Sequence, residues 1–138
     1  MKKYALIATL LPLVVILYTF REQNLGDVLN INQVERIIII TDDNKQINGD
    51  EMPKIDQEML DRLADYLNQY QVRATMKKGW ISDYPSEKFK FYLAYKNGKN
   101  EVYTFERDVV ASTRIYKIVN APLDYIWIQD FDRELNSK

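Results

Sequence analysis

Between Lys3 and Arg21 the chain runs through 17 residues, Tyr4 to Phe20, without a charge. No other feature restricts the possible folds as strongly, because so long an apolar run must be buried in protein or in lipid. As a helix rising about 1.5 Å per residue, it covers roughly 26 Å, close to a hydrocarbon core of about 30 Å. A cleavable signal carries a shorter apolar region, about 7–15 residues, and small residues at the cleavage site. Here "LYTFREQNLGD" follows, with no A-x-A-like triplet and Gly26 as the one small residue nearby. Pro12 would kink a helix in water but is tolerated in a membrane helix.

The flanks predict an orientation. Lys2, Lys3 and the terminal amine precede the run and Arg21 follows it, so the positive-inside bias keeps the N-terminus cytoplasmic. The expected organisation is a signal-anchor transmembrane segment over 1–20, a tether over 21–33 and an extracytoplasmic α+β domain over 34–138. A cleaved signal and a buried core helix are the competing readings. The expected location is thus the cell membrane, single-pass, with the domain outside.

Composition removes whole classes of chemistry. The chain has no Cys and no His among its 138 residues, so it has no disulfide, no thiol nucleophile and no lipid-modified cysteine. It also lacks the commonest general base and transition-metal ligand. With Lys2 and Lys3 set aside, 17 basic residues face 20 acidic ones, a balance that argues against a nucleic-acid partner.

The tether reading of 21–33, "REQNLGDVLNINQ", rests on its polarity. "VERIIIIT" (34–41) is β-branched and short, and predicts a strand covered on both faces. "KIDQEMLDRLADYLNQY" predicts a helix with Met59, Leu60, Leu63, Leu67 and Tyr70 on one face, Asp56 as N-cap, and a staple between Ile55 and Leu60. "QVRATMKK" alternates Val72, Ala74 and Met76 against Arg73, Thr75 and Lys77, as a half-buried strand does.

"KFKFYLAYKNGKNEVYTFER" predicts a hairpin whose register can be argued from its side chains. A two-residue Asn97-Gly98 turn would leave Tyr103 and Phe105 on the Lys90 face. A three-residue turn with Gly98 left-handed instead pairs Phe89 with Phe105 and Phe91 with Tyr103, and that register is expected. "TRIYKIV" (113–119) predicts another strand. "APLDYIWIQDFDREL" spaces Leu123, Trp127, Phe131 and Leu135 by four, predicting a helix from near Pro122, with a strand at "YIWI" as the competing reading. The order is β-α-β-β-β-β-α, an antiparallel-rich α+β sheet with helices on one face.

These elements in this order, from "VERIIIIT" through "DQEMLDRLADYLNQY" and "KFKFYLAYKNGKNEVYTF" to "IYKI" and a final helix, resemble short extracytoplasmic lipoproteins and anchored proteins of unknown function from Gram-positive bacteria. The likeness spans most of residues 34–135. Such proteins often carry a lipobox cysteine; this chain has none, so its apolar run would serve as anchor. The resemblance implies a location and a fold, and no catalytic residues.

Candidate chemistry is sparse. "DDNKQINGDE" (42–51) is rich in acids and carries the Gly of a Ca²⁺ loop. However, Ile55 stands where a bidentate Glu is required, so a solvated loop is expected and no metal or cofactor. Acids such as Glu58, Asp61, Asp65, Asp130, Asp132 and Glu134 lie in helices, where solvation accounts for them. Thr75 and Lys78 have Ser-x-x-Lys-like spacing without its context.

The candidate binding residues lie in "KKGWISDYP" (77–85), where Lys77, Lys78, Trp80 and Tyr84 combine cations with aromatics. A basic sheet face of Arg73, Lys77, Lys88 and Lys90 would suit anionic headgroups or wall polymers. The competing accounts are a Trp80 ring folded over the core and edge lysines that block aggregation. The expected function is a non-enzymatic accessory or binding domain, held at the membrane by residues 4–20, that contacts a protein, peptide or anionic envelope polymer. A small carboxylate-, Tyr- or Lys-based enzyme, an inhibitor-type domain, or a structural subunit of a membrane complex are the alternatives.

Overall fold

The computed structural model describes residues 2–41, 52–76 and 82–137. The protein is α+β, built on a curled antiparallel sheet of seven strands. Its elements are α1 (Lys2–Thr19), β1 (Gln23–Asn24), α2 (Leu25–Val28), a 3-10 turn (Ile31–Gln33) and β2 (Val34–Ile40). They continue as α3 (Gln57–Leu67), β3 (Gln71–Ala74), β4 (Phe89–Tyr95), β5 (Asn100–Glu106), β6 (Val109–Ala111), β7 (Ile115–Ile118) and α4 (Tyr125–Asn136). The strands lie in the order β1-β3-β7-β6-β5-β4-β2.

The β4–β5 register agrees with the side-chain argument. Phe89 pairs with Phe105 and Phe91 with Tyr103, and Gly98 takes the left-handed conformation at φ 85°. Phe89 and Phe105 stack with centroids 4.7 Å apart, and Phe91 tilts against Phe105 at 4.8 Å. Helix α3 begins where its cap predicts, with the Asp56 carboxylate accepting from the Met59 amide at 2.8 Å. Met59, Leu60, Leu63, Leu67 and Tyr70 are all buried. Helix α4 starts at Tyr125 because Asp124 is its cap, accepting from the Trp127 amide at 3.1 Å. Its apolar stripe joins that of α3 and the aromatic side of β4 and β5 in a single core.

Four sequence expectations are corrected. The segment 21–33 is not a simple tether: Leu25, Leu29 and Ile31 are buried in the core, and Asn24 pairs with Gln71 on β3. Its apolar residues are spread among polar ones, so only the folded chain shows that they share one side. Strand β6 adds a short strand after the Arg107–Asp108 turn, giving five strands after α3 where four are expected. Strand β3 ends at Ala74, and Met76 stands 82% exposed instead of continuing the buried alternation. Ile38 on β2 is only half-buried, so the strand is not fully covered on both faces.

The expected transmembrane segment needs a further correction. Residues 2–19 are helical, but among the described residues no helix is long and apolar enough to cross a membrane. Pro12 sits inside α1, and two Thr and two Tyr dilute its apolar content. Its eighteen residues rise about 27 Å in all. The charged Lys2 and Lys3 take up about 3 Å of that, which leaves less than a core of about 30 Å requires.

Candidate functional site

Strand order divides the basic sheet face expected of Arg73, Lys77, Lys88 and Lys90. Arg73 lies on β3 and Lys90 on β4, with β7, β6 and β5 between them, a lateral distance of roughly 19 Å at about 4.8 Å per strand. The shared basic face of Arg73, Lys88 and Lys90 is therefore not a contiguous patch. Two of its members are also engaged. Arg73 pairs with Glu22 at 2.8 Å, and Lys88 with Glu106 at 3.3 Å. Lys77, Lys78 and Trp80 lie outside the described residues, as does the 42–51 loop.

Tyr84 is half-buried, and the Arg107 guanidinium lies over its ring, 4.7 Å from the centroid. Around it the chain over 82–88 is fastened to the β5–β6 turn. Ser82 Oγ donates to Asp108 Oδ1, the Asp83 amide donates to Asp108 Oδ2 at 3.0 Å, and Arg107 pairs with Glu87 at 3.2 Å. Beside this clasp, Glu106 is 1% exposed, and neither carboxylate oxygen has a hydrogen-bond partner among the described residues. Sequence reasoning missed Glu106, because nothing in "TFERD" marks that glutamate as buried.

Two open clefts lie at the other end of the sheet. One, of about 650 Å³, lies between residues 100–102 and Thr104 on β5 and residues 111–113, with the Glu101 carboxylate among its walls. The second, of about 420 Å³, is bounded by Thr19 and Phe20 at the end of α1, by Thr75 and Met76, and by Thr113 and Arg114 in the β6–β7 turn. Across β3 and β7, Arg73 sits directly opposite Lys117, both exposed. Like charges in that position repel, and Glu22 offsets only the Arg73 side.

The perturbed titrations are structural. Burial pushes the Tyr66, Tyr95 and Tyr103 phenols upward. Their hydroxyls reach backbone or carboxylate oxygens: Tyr66 donates to the Asp124 carbonyl at 2.9 Å, Tyr95 to the Leu29 carbonyl at 2.6 Å and Tyr103 to Glu101 at 2.5 Å. Raised phenols stay protonated and serve as donors rather than bases. Among the described residues, no group of three or more carboxylates is placed to hold a metal ion.

No protein-family model, no curated protein and no solved structure matches this chain.

Proposed function

We propose that this chain is a membrane-held, non-enzymatic accessory domain that presents its sheet to a partner or anionic polymer outside the cell. The observation that supports this most is helix α1. Nine of its aliphatic side chains, from Leu6 to Leu17, are exposed, and they lie on every side of the helix. A helix apolar all round is not stable in water and is normally immersed in lipid or protein. A bilayer accommodates a short segment by thinning locally or by letting its flanking residues reach the interface. In the sequence, Lys2 and Lys3 precede the apolar run and Arg21 follows it, as charged flanks do.

The like-charged Arg73–Lys117 pair supports an anionic partner, because a bound anion relieves their repulsion. The missing Cys and His support a binding role over catalysis.

The test is membrane fractionation with an alkaline wash, comparing the native chain with a Leu10→Lys/Val14→Lys variant. A cation at the centre of a membrane helix costs about 2.5–3.5 kcal/mol. The native chain should stay with the membrane and the variant should be released. A native chain recovered in the wash would overturn the proposal.

A further inference from the structure

Helix α1 enters the domain with almost no slack. Arg21 folds back on the helix end, its guanidinium 3.7 Å from the Tyr18 ring centroid and its Nη1 donating to the Tyr18 carbonyl at 2.7 Å. Glu22 then pairs with Arg73, Gln23 pairs with Val72 on β3, and the Leu25 amide donates to the Tyr70 carbonyl at 3.0 Å. Three residues, Phe20 to Glu22, therefore separate the end of the helix from the sheet, a link of no more than about 14 Å from Thr19 to Gln23. The ends of β3 and β7 lie beside the helix end, because residues from all three line one cleft.

The part of the domain held at this distance has a distinct surface. Thr19 and Phe20 form one wall of a cleft whose other walls are Thr75, Met76, Thr113 and Arg114. Among the described residues, Met76 is the most exposed large apolar residue of the sheet domain. Arg114 is exposed and has no ion-pair partner among the described residues. Glu101 lines the adjoining cleft with Ser112 and Thr113 and accepts from the Tyr103 hydroxyl at 2.5 Å, while Glu22 is paired with Arg73. An exposed methionine beside a free guanidinium and hydroxyls matches the bilayer interface, with apolar matter below and phosphates above.

We propose that the edge formed by Met76 and the β6–β7 turn, Ser112 to Arg114, rests on the membrane surface and binds the phosphates of anionic lipid headgroups. Arg114 supplies the charge, Ser112 supplies a hydroxyl donor, and Met76 enters the interface. This inference rests on the reading of α1 as the membrane-held helix. It adds that the sheet has a fixed membrane-facing end, which leaves the Val119–Ala121 end of β7 pointing away from the bilayer.

The absence of native cysteine makes the test direct. Thr113→Cys and Ala121→Cys, both at exposed positions, would each carry a polarity-sensitive fluorophore on the full chain. Each would be reconstituted in vesicles of phosphatidylcholine with or without phosphatidylglycerol. The label at 113 should be several-fold better shielded from an aqueous quencher than the label at 121, and more so with phosphatidylglycerol. Arg114→Glu should abolish the phosphatidylglycerol effect without changing the circular dichroism spectrum. Equal quenching at 113 and 121 in vesicles that carry the chain would overturn the inference and leave the anchoring intact. Failure of the chain to float with the vesicles would overturn both.

Discussion

The Tyr66 ring lies flat on the Trp127 indole, with centroids 3.9 Å apart and planes 1° from parallel. That contact joins α3 to α4, and Trp127 in turn stacks on Phe131 at 5.0 Å. The Tyr66 hydroxyl also donates to the Asp124 carbonyl, beside the start of α4. One side chain therefore supports both the body and the N-terminus of the last helix.

Trp127→Ala should lower the unfolding free energy by about 3 kcal/mol, the low end for an aromatic truncation because the indole stays partly exposed. Trp127→Phe should lose much less, since it keeps a stackable ring. Urea denaturation monitored by circular dichroism measures both, and equal losses would refute a role for stacking.

Lys88 and Glu106 should behave asymmetrically. Removing the lysine by Lys88→Met leaves a carboxylate that is 1% exposed without its counter-charge, at a cost of about 3 kcal/mol. Glu106→Gln in the same background should recover most of that loss. The double-mutant cycle is the measurement, and an additive result would show that the pair is not coupled.

Gly98 tests the turn. A Cβ there meets nothing within 4 Å, so Gly98→Ala would pay only for its positive φ, about 1 kcal/mol. Gly98→Asn should cost less, because asparagine tolerates the left-handed region. Gly26 behaves differently: a Cβ there would collide with the Asn68 side-chain amide, so Gly26→Ala must displace that side chain from the α2–α3 contact. Thermal unfolding of the three variants separates backbone strain from crowding.

Alkaline pH should destabilise the domain. In the fold the phenols of Tyr66, Tyr95 and Tyr103 are held above their ordinary value of 10, chiefly by burial. The unfolded chain therefore loses these protons first. Their contribution is complete below pH 10 and is lost as pH rises past that value. Across that range the unfolding midpoint should fall while phenolate absorbance rises with unfolding. A flat midpoint would contradict the burial.

The elements legible in the sequence are those whose signal is local. Asp56 marks a helix start because a carboxylate three residues before an amide caps it wherever the helix goes. By contrast, the last helix, expected from near Pro122, begins only after its Asp124 cap. The β4–β5 register was readable because a hairpin brings its own partners together: Phe89 can only meet Phe105 if Gly98 turns left-handed. Strand order between distant segments has no such local rule. Arg73 and Lys90 look equivalent in an alternation pattern, and only the chain's path through β7, β6 and β5 sets them apart. Leu25, Leu29 and Ile31 were hidden for a related reason, since their burial depends on a sheet edge formed by β3 more than forty residues later. Strand β6 is too short to alternate visibly, with Val109 and Val110 both buried.

The two-residue strand β1 also acts as a mechanical joint. It pairs along the sheet edge, so a pull on α1 loads the Gln23–Val72 and Asn24–Gln71 pairs in shear, with Leu25 behind them locked in the core. A joint so short transmits torque as well as tension, and tilting the helix would swing the sheet with it as a lever. The orientation of the whole domain is thus set by the pitch of one helix. Inserting a few glycines after Phe20 would convert that rigid lever into a swivel.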